Sequence, residues 1–144
     1  FYFVINIWIF LIEDDYLSKQ KIIFILGICI STDIGGYIFG KILKGKKLTS
    51  ISPNKTYSGV LGSFILSLLF VYVFFIDINY KINLFLLTVI ISFISQIGDL
   101  FISLLKRKAK IKDSGSFLPG HGGLLDRLDG ILFALPVGLI LVSL

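Results

Sequence analysis

The chain of 144 residues is 56% hydrophobic and 15% aromatic but only 16% charged, where soluble domains run at about 45–50% apolar and about 25% charged. That balance excludes an ordinary soluble domain and points to an integral membrane protein. The net charge of +5 comes with no nucleic-acid-binding motif, and the basic residues flank apolar segments, so no nucleic-acid partner is expected.

A bilayer core of about 30 Å takes about 20 mostly apolar residues of helix. Residues 1–12 read as the tail of one span. The stretch FYFVINIWIFLI lacks a basic start and a small-residue cleavage site, which argues against a signal peptide. The chain opens on Phe1 and both ends fall within apolar text, so a piece of a longer polypeptide is expected. Residues 21–43 form a second span with a polar centre, 59–76 a third, 84–105 a fourth and 131–144 the start of a fifth. Long apolar runs without period-two alternation favour helices over strands. The fold class is therefore all-α, a polytopic transmembrane helix bundle with polar loops. The single Cys29 lies in apolar sequence and reads as a small buried hydrophobe.

The loops set orientation, because Lys and Arg collect on the cytoplasmic side. Lys41, Lys44, Lys46, Lys47 and Lys55 follow the second span, and Lys106, Arg107, Lys108, Lys110 and Lys112 follow the fourth. The turns between, EDDYLSKQK and DINYK, carry little or no net positive charge. Parity and charge agree on both basic loops facing the cytoplasm.

Acids within a bilayer are costly and usually functional. Ser92, Gln96, Asp99 and Ser103 recur at intervals of four, three and four, so they share one helix face. Hydrogen bonding between helices accounts for the serines and the glutamine; it accounts poorly for Asp99. The second span carries Asp33 one turn before Tyr37, with Gly36 and Gly40 in a GxxxG pair that permits close helix approach. Asp33 is either a polar packing contact or a site residue.

Of the two basic loops, KKLTSISPNKTYSG (46–59) is rich in turn formers and in groups able to hold phosphate oxygens. Anionic lipid head groups are its default partner. KDSGSFLPGHGGLLDRLDG (112–130) is more specific. Asp126 and Asp129, three apart, project from one helix face, and Gly120, Gly122 and Gly123 around His121 permit a tight turn. Paired carboxylates suit a hard cation such as Mg²⁺, which binds phosphate oxygens alongside one or two of them. His121 either ligates, bonds a phosphate, carries a proton or simply braces the loop.

Ser103, Leu105, Lys106, Arg107, Lys112, Asp113, Gly115, Leu118, Pro119, His121, Gly122, Gly123, Asp126, Arg127 and Asp129 together resemble the signature of the phosphatidate cytidylyltransferase (CDP-diglyceride synthetase) family. STDIGGYIFGK and SPNKTYSG resemble two further family segments in the expected order, so the resemblance covers 31–130. Ser58 stands where the family usually has Glu after an aromatic residue, and Ile102 where an acid is common. The resemblance implies the C-terminal part of an integral membrane enzyme over 1–144. That enzyme joins CTP to phosphatidic acid, giving CDP-diacylglycerol and pyrophosphate. It also implies Mg²⁺ as cofactor, a homodimer, and a cell (inner) membrane location with the signature loops in the cytoplasm. On that resemblance Asp99, Asp126 and Asp129 form the acidic metal and catalytic group, with His121 beside them. Lys106, Arg107, Lys112, Asp113, Gly122, Gly123, Arg127, Lys55 and Asp33 are the expected substrate-binding positions. A nucleotidyltransferase for an ether-lipid phosphate is the nearest alternative. A transporter subunit is a more distant one, since a pore has no need of HGG and DRxD outside its spans.

Overall fold

The computed structural model describes residues 16–49, 52, 55–76, 82–109 and 125–143, with side chains described for 19–49, 52, 55–76, 82–109 and 129–142. Among the described residues four helices follow one another: α1 (Tyr16–Leu43), α2 (Tyr57–Phe75), α3 (Leu84–Lys108) and α4 (Leu125–Ser143). Three of them are long and apolar enough to cross a membrane, over Lys19–Leu43, Tyr57–Phe75 and Leu84–Lys108, while Asp129–Val142 is a shorter apolar stretch. The helical expectation for 21–43, 59–76 and 84–105 therefore holds. The first expected span, 1–12, lies outside the described residues.

One boundary differs from expectation. The helix α1 begins at Tyr16 and takes in the mostly polar segment up to Gln20, which had read as a turn. Nothing in that segment breaks a helix: it lacks Gly and Pro, and Lys, Gln and Leu are good helix formers. The last helix starts at Leu125, ahead of the apolar run expected from 131, so Asp126 and Asp129 lie on one helix as their spacing implied, near an N-terminus where the helix dipole favours negative charge. Pro136 lies inside it.

Helix pairing follows chain order, α1 with α2 and α3 with α4, and α1 also touches α3 and α4. The core is apolar and helix-borne: Phe24, Ile25, Ile28 and Cys29 of α1 pack with Val71 and Phe75 of α2, Leu87 and Ile91 of α3, and Ala134 and Val142 of α4. Phe24 and Phe75 meet edge to face with ring centroids 5.1 Å apart, a favoured aromatic geometry. The outward faces expose Ile23, Ile30, Leu61, Ile65, Leu69 and Phe93, which suits a hydrocarbon surround and not water.

The α1–α2 seam is held close by glycines. A Cβ on Gly35 would stand 2.5 Å from the Gly62 carbonyl oxygen and 2.9 Å from Ser63 Cα, and one on Gly59 would stand 2.8 Å from the Gly36 carbonyl oxygen. These are backbone atoms and cannot turn aside. In a membrane, such close approach replaces the hydrophobic drive that water supplies elsewhere. Gly35→Ala is expected to lower the apparent thermal midpoint of the detergent-solubilised protein, at a cost of about 1–3 kcal/mol for forced overpacking. Gly40→Ala meets only Thr56 Oγ1 at 3.1 Å and Gly59 Cα at 3.8 Å, and Ala is the better helix former, so its midpoint should stay near wild type. Equal midpoints for the two variants would contradict this account of the seam.

Candidate active site

The polar residues of the helices gather at one end of the bundle. Because the helices run antiparallel in chain order, the C-terminal halves of α1 and α3 meet the N-terminal parts of α2 and α4 there. Asp33 on α1, Asp99 on α3 and Asp129 on α4 wall a single cavity of about 330 Å³, within the about 300–1,000 Å³ usual for ligand pockets. Thr32, Ser63, Gln96, Gly59 and Gly130 belong to its helical wall, and Leu48, Lys55 and Thr56 line it from the loop side. Asp99 lies nine residues before the end of α3 at Lys108, about 13 Å along a helix axis at 1.5 Å per residue. The cavity therefore reaches from the basic end of the bundle into the apolar zone.

The floor is built from hydroxyl pairs. Thr32 Oγ1 donates to Ser92 Oγ (2.8 Å), Gln96 Nε2 reaches the same oxygen at 3.5 Å, and Ser63 Oγ donates to the Thr32 carbonyl (2.7 Å). These bonds tie α1, α2 and α3 together beneath the carboxylates. They also satisfy polar groups that would otherwise be expensive to bury.

The loop after α1 is organised. Lys44 takes a left-handed φ of 45° at the end of the helix, a conformation that turns a chain out of a helix. The chain then doubles back: Lys47 and Thr56 form an antiparallel bridge, Leu48 N–H donates to the Lys55 carbonyl (2.7 Å), and Tyr57 N–H donates to the Lys46 carbonyl (3.1 Å). Thr56 caps α2 by accepting from Gly59 N–H at 3.1 Å, a contact worth about 1 kcal/mol. Ser58 Oγ accepts from Gly45 N–H at 3.3 Å and lies 3.0 Å from Thr56 Oγ1. At this position, where the family pattern has an acid, the chain thus uses a hydroxyl to pin its own loop.

This hairpin delivers Lys55 over the cavity, where its ammonium forms an ion pair with Asp99 Oδ2. A second pair lies deeper: Lys106 Nζ donates to Asp129 Oδ2 at 2.6 Å, with the two side chains only 13% and 5% exposed. Asp33 is exposed toward the cavity. One turn on, Tyr37 accepts a hydrogen bond from Lys41 Nζ at 3.3 Å, and that ammonium also sits 5.5 Å from the Tyr37 ring centroid.

Of the sequence-predicted positions, Asp33, Lys55, Asp99 and Asp129 come together at this cavity, and Lys106 reaches it through Asp129. Arg107 is exposed and is not part of the wall. Asp126 and Arg127 lie on α4, but their side chains fall outside the described residues, as do Lys112, Asp113, His121, Gly122 and Gly123 altogether. Ser103 is half-buried and does not line the cavity, so the polar face of α3 contributes Gln96 and Asp99 directly and Ser92 through its bond to Thr32. The contributions of Thr32 and Ser63 were not foreseen. The available signal was the spacing of Gly59, Ser63 and Ser67, a small-residue face of α2 turned inward.

Carboxylates from three helices stand here with hydroxyl and amide groups around them and the Lys55 ammonium over the cavity. Comparison with known proteins decides the family. Over residues 1–144 the chain matches the sequence model of the Cytidylyltransferase family. The chain belongs to that family. It is 51% identical over 110 residues to the phosphatidate cytidylyltransferase of Staphylococcus haemolyticus, covering 74% of this chain and 42% of that protein. To the protein of the same name from Bacillus subtilis it is 41% identical over 142 residues, covering 94% and 53%. For that of Staphylococcus saprophyticus the figures are 42% over 134 residues, covering 90% and 52%. The chain thus spans about half the length of the curated relatives it matches.

The donor set of this cytidylyltransferase-family site suits Mg²⁺. It is all oxygen, and Mg²⁺ binds through one or two carboxylates plus waters and substrate phosphates, without a dedicated protein cage. Among the described residues, no group of three or more His, Cys, Asp or Glu could hold a metal ion.

Proposed function

We propose that the enzyme containing this chain transfers the cytidylyl group of CTP to phosphatidic acid, giving CDP-diacylglycerol and pyrophosphate. The observation that carries this reading is the single cavity in which Asp33, Asp99 and Asp129, from three helices, face Lys55 at the basic end of membrane-length helices. Such a position serves both substrates: a water-soluble triphosphate enters from the polar end, and a lipid phosphate reaches the same depth from the bilayer. The same reading makes the enzyme a Mg²⁺-dependent homodimer of the cell (inner) membrane, with its basic loops in the cytoplasm.

A phosphate oxygen of phosphatidic acid attacks the α-phosphorus of CTP, the bond between the α-phosphorus and its bridging oxygen breaks, and pyrophosphate departs. The nucleophile is already anionic, so the site needs positioning and charge neutralisation more than a strong base. Divalent cations supply the neutralisation of the reacting and departing phosphates when bound. In this chain Asp99 and Asp129 would hold the metal, with Asp33 alongside. Lys55 would reach the phosphates, and the Thr32–Ser92–Gln96 contacts fix the helix faces that carry the acids. The glycines at the wall, Gly59 and Gly130, leave room for a ligand to approach the backbone closely.

Membranes containing the full-length protein are expected to convert labelled CTP and phosphatidic acid to CDP-diacylglycerol with Mg²⁺ and to make none with the ion chelated. Product formed equally with EDTA would remove the metal, and product formed only from ether-linked lipid phosphate would change the substrate.

A further inference from the structure

The two ion pairs at the site differ in how they are held. Lys106 is borne on α3 and, like Asp129, is nearly buried, with exposures of 13% and 5%. Lys55 sits on a hairpin loop, and its side chain and that of Asp99 are 26% and 34% exposed. The Lys55 backbone is fixed on both sides, its N–H donating to the Ser52 carbonyl at 3.1 Å and its carbonyl accepting from Leu48 N–H at 2.7 Å. Its ammonium, at the end of a flexible four-carbon stem, can therefore change partner by rotamer alone while the loop stays in place.

Charge decides when it does so. Among the described residues, the three carboxylates of Asp33, Asp99 and Asp129 and the two ammonium groups of Lys55 and Lys106 stand at or beside the cavity, one negative charge in excess among these five. A polyanion is repelled by that balance. A divalent cation at Asp99 reverses the sign, and it also repels the ammonium already paired with that carboxylate, at a separation where like charges interact strongly in a partly desolvated site.

We infer that Lys55 is an exchangeable counter-ion, which holds Asp99 until a divalent cation takes that carboxylate and then passes to a phosphate of the incoming nucleotide. Metal and nucleotide consequently bind in a coupled order, metal first. The inference rests on the reading of this cavity as the site of a metal-bound nucleotide, and adds to it the residue that links the two ligands. By linkage, the cost of displacing Lys55 weakens the metal when it binds alone and is returned when phosphate accepts the ammonium.

The test uses the purified full-length protein in detergent, with Mn²⁺ binding followed by electron paramagnetic resonance and binding of α,β-methylene-CTP measured at saturating Mn²⁺. Lys55→Gln should bind Mn²⁺ alone more tightly than wild type, on the order of fivefold, the low end of ordinary coupling. The same variant should bind the nucleotide analogue more weakly by a similar factor. Lys55→Arg, which keeps a cation on the loop, should restore the weak binding of Mn²⁺ alone. Unchanged or weaker Mn²⁺ binding by Lys55→Gln overturns the exchange, and unchanged nucleotide binding overturns the transfer to phosphate. Asp99→Asn separates this from the underlying reading: if it binds Mn²⁺ as wild type does, the metal site itself is wrong; if it loses the ion while Lys55→Gln is unaltered, only the exchange falls.

Discussion

Asp99→Asn in the full-length enzyme should reduce turnover of CTP and phosphatidic acid by about two to three orders of magnitude, with expression and folding close to wild type. Asn keeps the size and polarity of the side chain, so the packing of α3 is preserved, and only the charge is lost. Metal-assisted charge neutralisation is worth several kcal/mol in a transition state, and each 1.36 kcal/mol is tenfold in rate. The structural cost is small by comparison. The Lys55–Asp99 pair is partly exposed, at 26% and 34%, and exposed pairs contribute only about 0–1 kcal/mol. A variant that keeps its apparent thermal midpoint but loses its turnover is the expected pair of results. Turnover within about threefold of wild type, at normal expression, would remove Asp99 from the metal site.

Much of this site could be read along one helix and little of it between helices. The 4–3–4 spacing of Ser92, Gln96, Asp99 and Ser103 placed the polar face of α3, because helical periodicity alone determines which residues share a face. The close approach of α1 and α2 was visible in Gly36 and Gly40, and the seam continues it through Gly35, Gly59 and Gly62. The start of α1 was harder to read. A mostly polar but helix-compatible segment such as Leu17–Gln20 resembles a loop when apolar residues are the guide, although nothing in it stops a helix. Lys55 is the clearest case of information the chain does not display in one dimension. It lies 44 residues from Asp99, and its position depends on the Lys47–Thr56 register and the turn at Lys44, neither of which has a strong local signal. The convergence of Asp33, Asp99 and Asp129 likewise depends on how three helices cross, which spacing within any one of them does not specify.

Lys106→Met should be the more damaging lysine substitution for stability, because Lys106 is the less accessible of the two. It removes a hydrogen-bonded cation 2.6 Å from Asp129 Oδ2, where the carboxylate side chain is 5% exposed. A buried charge whose partner has been deleted costs about 3–5 kcal/mol, several times the loss expected for Lys55→Gln in its more solvated pair. The apparent midpoint in detergent should therefore fall distinctly for Lys106→Met and little for Lys55→Gln. Adding Asp129→Asn to Lys106→Met removes the second charge of the pair and should recover most of the lost stability, since replacing both members of a buried pair is often near neutral. Activity should not return with it, because the carboxylate that lines the cavity is then gone. If stability and turnover recover together in the double variant, Asp129 is a structural partner of Lys106 and holds no metal. If stability alone recovers, the ion pair and the catalytic carboxylate are two functions of one side chain, separable by this cycle of variants.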